Sequence, residues 1–171
     1  KNIFLPNVPS DVYKKYAGNT KQPFTMITLG VVSDQMDFYG MFEMVKLLKE
    51  DFPKIKLKIV GDGPKLQEYK SYIRNQELSD SVKFYGFMSH EEALEEISKS
   101  QIGLALYNGV WNFNYYGDSM KCREFFCLGL PVITTDTSST VEDIREYESG
   151  IICKNDSLEY LAAFKEIVSN Y

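Results

Sequence analysis

Short apolar stretches that close on glycine alternate with amphipathic stretches along most of this chain, and that rhythm admits few folds. Met26-Ile27-Thr28-Leu29 ends at Gly30, Ile55 to Ile59 alternates as a strand and runs into Gly61-Asp62-Gly63-Pro64, and Val82 to Tyr85 ends at Gly86. Between them Phe38, Met41, Phe42, Val45 and Leu48 recur at helical spacing, as do Leu66, Tyr69 and Ile73. Pro64 suits the first position of the second helix. Ser89-His90-Glu91-Glu92 has the form of a capping box, so a helix burying Leu94 and Ile97 is expected to begin there, with His90 as a helix-start residue. Ile102 to Tyr107 and Pro131 to Thr134 read as two more buried strands. A last helix from Ser157 carries Leu158, Leu161, Phe164 and Val168 on one face. Strands separated by helices of this length predict an α/β, doubly wound parallel sheet with helices on both faces. Residues 1–21, punctuated by Pro6, Pro9, Gly18 and Asn19, read as a lead-in segment, and residues 22–171 as one domain.

Composition excludes several function classes. The 171 residues are 44% apolar and 25% charged, ordinary for a globular domain. Nineteen basic and 24 acidic residues leave a formal charge of −5, and no Lys/Arg cluster marks a nucleic-acid surface. No apolar run approaches the roughly 18 residues that span a bilayer. Cys122, Cys127 and Cys153 lack metal-ligand spacing and are odd in number, which argues against structural zinc and a disulfide framework. Reduced cysteines fit a cytoplasmic location. Lys1 in place of an initiating Met suggests an excised or processed chain, and in an excised chain a missing leader carries no information.

Chemistry concentrates in Asp118 to Asp136, which reads as loop, helix, glycine stop and buried strand. Gly117 loosens the approach, and Asp118 or Ser119 can cap the helix. The unpaired N–H groups of the first turn, including those of Ser119 and Met120, face outward with the positive end of the helix dipole and suit an anion. Lys121 adds a cation there, and Glu124 follows on the same face at i+3. On helix chemistry alone, Glu124 is an exposed glutamate paired with Lys121, worth about 0.3–0.5 kcal/mol.

The segment resembles the donor-nucleotide site in the C-terminal domain of GT-B glycosyltransferases, in particular the large retaining family four. In many members it runs roughly Pro-x-Lys-x-x-Glu-Tyr-x-Ala-x-Gly-x-Pro-Val-Ile. Lys121, Glu124, Phe125, Gly129, Pro131, Val132 and Ile133 occupy the matching positions, and the match extends to Gly30, to Ile59 through Pro64 and to Val82 through Gly86. The resemblance implies that Glu124 grips the ribose hydroxyls of the donor, a task for which a carboxylate is suited as an acceptor of two hydroxyl hydrogens. It places donor phosphate against Gly30, Gly117, Asp118, Ser119, Met120 and Lys121. Asp118 is ambiguous, because as a cap it would put a carboxylate where the anion belongs. Gly63, Lys65, Phe87 and Met88 fall near the donor base: the Gly61 to Pro64 turn reads first as structural, and Phe87 either stacks on the base or fills core. Tyr107, Trp111, Tyr115 and Tyr116, in a loop unusually rich in aromatics, offer faces to a sugar or to another domain, or else form a satellite apolar cluster.

Departures from the family pattern sit on the donor side. The usual paired glutamates, spaced Glu-x7-Glu, are represented here by Tyr116 and Glu124. An arginine is usual after the first strand, where Val31 stands, and a lysine before the next glycine, where Tyr39 precedes Gly40. Each absent cation removes a charge-assisted bond of about 1.5–3 kcal/mol. The resemblance implies a glycosyltransferase that moves a sugar, with retained configuration, from a nucleoside-diphosphate sugar to a polysaccharide, glycolipid or related hydroxyl acceptor. It implies no cofactor or metal, and an acceptor domain preceding this one through which any peripheral membrane contact would run. It also implies that this domain alone binds donor but turns over poorly. The absent cations leave open a non-catalytic nucleotide-sugar-binding module, and an epimerase-like enzyme on the same architecture remains a further alternative. A phosphate-accepting receiver domain fits less well, since no acidic pair ends the first strand.

Overall fold

Neighbouring residues on the central strands face opposite ways and both sides are largely apolar, so the sheet must be covered twice. Met26, Ile59, Leu104 and Ile133 enter one core, while Ile27, Val60, Ala105 and Val132 enter a second. Such strands read as continuous apolar runs, the mark of a parallel sheet buried on both faces. The structure, a computed structural model, describes residues 11–16, 18–109 and 117–170.

A 3-10 helix, Asp11–Tyr16, precedes the alternation of β1 (Thr25–Leu29), α1 (Phe38–Asp51), β2 (Lys56–Val60), α2 (Leu66–Asn75), β3 (Val82–Gly86) and α3 (His90–Ser98). Then follow β4 (Ile102–Ala105), α4 (Met120–Cys127), β5 (Val132–Thr135), α5 (Thr140–Tyr147), β6 (Gly150–Cys153) and α6 (Ser157–Ser169). All strand pairs are parallel, in the order β3-β2-β1-β4-β5-β6. This is the doubly wound order, whose direction reverses between β1 and β4 and leaves a crevice at their carboxyl ends.

The first core takes Phe42, Val45 and Leu48 of α1, Tyr69 and Ile73 of α2, and Tyr160 and Phe164 of α6. The second takes Leu94 and Ile97 of α3, Cys122 and Phe125 of α4, Ile144 of α5, and Tyr13 and Tyr16 of the 3-10 helix. The lead-in segment is thus packed onto the domain: the Tyr16 hydroxyl donates to Glu91 O at 3.2 Å and Asn19 Nδ2 to Ser98 Oγ at 2.8 Å. The capping box at α3 is present in both directions, Ser89 to Glu92 and back. Pro64 lies ahead of α2 rather than at its first position. Lys65 is the N-cap and its N–H goes to Val32 O at 3.0 Å, which ties the turn to the neighbouring loop and delays the helix.

Three strand ends are laced together by backbone. Gly30 N donates to Val60 O and Gly61 N to Gly86 O. Gly30 and Gly61 take φ of +128° and +129°, a region that side chains disfavour, and a Cβ on Gly61 would lie 2.0 Å from Gly30 O. Across the switch point the loop after β1 joins the end of β4, with Asp37 N to Leu106 O and Asn108 N to Gln35 O both 2.8 Å. Gly103, in the middle of β4, admits the Phe125 ring, since a Cβ there would stand 2.3 Å from that ring. Close approach of α4 to the sheet brings its first turn to the crevice.

Candidate functional site

The Lys121 ammonium lies at this crevice. Its Nζ stands 3.4 Å from where a Cβ of Gly30 would be, 3.0 Å from Met36 Sδ and 4.9 Å from the centre of the Tyr107 ring. A thioether and a ring face are weak partners for a cation. Among the described residues no carboxylate comes within ion-pair distance of Lys121, and burial pushes its pKa down to about 8, partly offset by Cys122 and Glu124. At neutral pH the group is largely protonated, desolvated and short of negative charge. An anion entering the crevice would supply it.

The start of α4 is arranged compatibly. Ser119 is the N-cap residue, but its side chain does not cap the helix; Oγ instead meets the Tyr107 hydroxyl at 2.8 Å. Asp118 turns to Arg123, with Nε to Oδ1 at 3.1 Å, and Arg123 also reaches Asp143. The residue at the N-cap position is Ser119, and the Asp118 carboxylate before it is paired with Arg123. Gly117 O accepts from Ser139 N and Ser139 Oγ, fixing the approach to α4 against the start of α5. Met120, partly exposed, opens the helix.

Glu124 does not pair with Lys121, as helix spacing alone suggested. Its Oε1 lies 2.8 Å from His90 Nε2 and 3.5 Å from the Tyr13 hydroxyl, and its side chain is 13% exposed. Burial, then the Glu124 charge, raises the Tyr13 pKa to about 12, so this hydroxyl stays a donor. His90 is the first residue of α3, the helix-start position its sequence context indicates, but it also reaches across to α4. His90, Tyr13 and Met36 are the site residues that sequence reasoning missed. No spacing links them to Glu124 or Lys121, and only the fold makes them neighbours.

The remaining candidates divide. Phe87 is 88% exposed and does not fill core, whereas Met88 packs against the second core. Gly63 is structural in its contacts, because a Cβ there would come 2.4 Å from Val32 O. Lys65 pairs with Glu68 at 2.7 Å. Burial holds the Tyr107 hydroxyl well above its ordinary pKa, and the ring serves Lys121 and Ser119 from beneath. Trp111, Tyr115 and Tyr116 lie outside the described residues. Val31 is 57% exposed, and the Tyr39 hydroxyl donates to Glu68 at 2.7 Å, so neither position brings a cation to the crevice.

A doubly wound, all-parallel six-stranded sheet covered by helices is a Rossmann-like α/β fold, and its structural neighbours are GT-B glycosyltransferases. The catalytic domain of a cholesterol-α-glucosyltransferase from Helicobacter pylori superposes with a TM-score of 0.70 at 20% identity, covering 87% of this chain and 88% of that one. Anabaena HepE in complex with UDP superposes with a TM-score of 0.72 at 14% identity over 86% of this chain and 39% of that one. The sequence model of the family "Glycosyl transferases group 1" matches residues 10–170, and the chain belongs to that family. Among curated relatives, the amylovoran biosynthesis glycosyltransferase AmsK of Erwinia amylovora is 24% identical over 142 residues, 83% of this chain and 35% of AmsK. The chain spans about a third of the length of the curated relatives it matches.

Proposed function

We propose that this domain holds the nucleoside diphosphate of an activated sugar, as the donor half of a glycosyltransferase whose acceptor half lies in another domain. The observation that carries the reading is the half-buried Lys121 ammonium at the switch point beside Gly30, whose close partners among the described residues are Met36 Sδ and the Tyr107 ring. Diphosphate docks against Lys121 and the uncapped start of α4, Glu124 accepts from the ribose hydroxyls, and the exposed Phe87 ring lies toward the base. As the sugar leaves for an acceptor hydroxyl, charge builds on the diphosphate, and a fixed cation with helix N–H groups stabilises it. The reading assigns no role to a metal. HepE, a structural neighbour, was seen with UDP, which supports a nucleoside diphosphate as the ligand class. The acceptor is a hydroxyl of a polysaccharide, glycolipid or related molecule, a reading supported by a relative named for amylovoran biosynthesis.

Titration calorimetry with UDP, GDP and ADP tests this. At least one should bind, and Lys121→Ala should weaken that binding about 10-fold or more, the scale of one charge-assisted bond. No heat and no amide chemical-shift change with any of the three would remove the reading. Val31 and Tyr39 favour a second reading, a nucleotide-sugar-binding module without catalysis, because the crevice then rests on one cation. If a longer protein containing this domain binds donor yet neither hydrolyses it nor transfers sugar, that second reading stands.

A further inference from the structure

Glu124 arrives at its task already held. Its Oε1 takes contacts from His90 Nε2 at 2.8 Å and from the Tyr13 hydroxyl at 3.5 Å, while its other oxygen makes no hydrogen bond among the described residues. A carboxylate offers about two acceptor sites on each oxygen, so Oε1 is filled by the protein and Oε2 keeps room for two donors. Two donors are what a vicinal diol supplies. A carboxylate oxygen accepts, so in this contact His90 Nε2 is the donor.

We propose that His90, backed by Tyr13, is a positioning residue that clamps Glu124 through Oε1 so that Oε2 is the oxygen presented to the ribose diol. The inference rests on the donor-binding reading above. Rigid support matters because a carboxylate on a long side chain otherwise loses rotamer freedom when it binds. His90 comes from the start of α3, where the capping box holds the backbone, and its ring meets Tyr13 edge to face at 6.3 Å. Tyr13 belongs to the 3-10 helix that precedes the sheet, with its own ring 6% exposed. The ribose carboxylate is thus held by two elements that lie far from it in sequence. The lead-in segment, through Tyr13, becomes part of the donor site.

The test uses the full chain and compares each ribonucleoside diphosphate that binds with its 2′,3′-dideoxy counterpart. His90→Ala should weaken the ribonucleotide about 3- to 10-fold, as expected for loss of one hydrogen bond to a charged group, and leave the dideoxy analogue unchanged. His90→Gln, which restores an N–H donor, should recover most of the affinity. Tyr13→Phe, which keeps the buried ring, should cost less than His90→Ala. The chain has a single histidine, so its ring nitrogens give an unambiguous long-range proton–nitrogen spectrum. That spectrum should show the Nε2–H form in the wild type, and the signal should move when the ribonucleotide binds but not in Glu124→Gln. Unchanged discrimination between ribo- and dideoxynucleotide in His90→Ala, or an Nδ1–H tautomer, overturns the clamp while donor binding stands. Absence of binding by every wild-type diphosphate overturns both.

Discussion

A lysine buried without a carboxylate partner works against folding, and Lys121 shows the sign of that cost. Its folded pKa is about 8, below the ordinary lysine value of 10.5. Between those limits the unfolded chain holds a proton that the folded one has released, so stability rises with pH across that window. Lys21, whose Nζ reaches Leu128 O at 2.9 Å, is lowered by burial to about 8 as well and contributes in the same direction. Replacing Lys121 with Met should therefore raise stability at pH 7 and flatten part of the rise toward pH 10, measured by urea denaturation at several pH values. The same substitution should abolish most diphosphate affinity. In the wild type, affinity should fall as pH climbs through about 8, because the ammonium then loses its proton, and calorimetry at pH 7 and 9 checks it. Gain of stability with loss of binding is the pattern of a residue kept for function. A Lys121→Met variant that is less stable at pH 7 would show that the thioether and ring compensate the charge fully.

At the scale of elements, α4 and α3 do the positioning, and each is held by something testable. Gly103 admits the Phe125 ring against β4, and a side chain there would meet the ring within 2.3 Å. Gly103→Val should cost about 1–3 kcal/mol by overpacking and should reduce diphosphate affinity too, since α4 must move away from the sheet. Ser89→Ala, which removes the cap of α3, should cost about 1 kcal/mol in chemical denaturation. Most of this architecture was legible because apolar residues on α1, α2, α3 and α6 recur at helical spacing and β1, β2 and β3 close on glycine. Where burial is partial, the pattern faded: β6, Gly150–Cys153, is an edge strand buried fully only at Cys153, and α5, Thr140–Tyr147, has two turns with few apolar residues. Neither was anticipated, nor was the 3-10 helix that brings Tyr13 inward. Within the site, Lys121 and Glu124 were legible from one motif. The His90 contact to Glu124 was not, because 34 residues and two different helices separate the pair.

At the scale of the whole molecule, the proposed function separates into two measurable quantities, nucleotide binding and sugar transfer. The crevice opens at the carboxyl edge of the sheet, where Val31, just after β1, and Met120, at the start of α4, are exposed apolar side chains. A diphosphate held there by one cation and one helix start keeps its far side, and the sugar, in water. Transfer requires that side to be covered, because closure strengthens the electrostatic terms and keeps water from taking the sugar. Among the described residues no helix is long and apolar enough to cross a membrane. The proposed donor-half reading assigns that cover to a second protein domain, and the curated relatives are more than twice as long as this chain. The 171-residue chain should therefore bind a nucleoside diphosphate nearly as well as the nucleotide sugar that contains it, since the sugar gains few contacts. It should transfer sugar at less than about a hundredth of the rate of a longer protein that carries the domain, a deficit in the range that lost positioning produces. Parallel calorimetry with UDP and UDP-sugars, alongside a radiolabelled transfer assay, reads both quantities. Full transfer by this chain alone would mean that the acceptor is bound on the same domain as the donor.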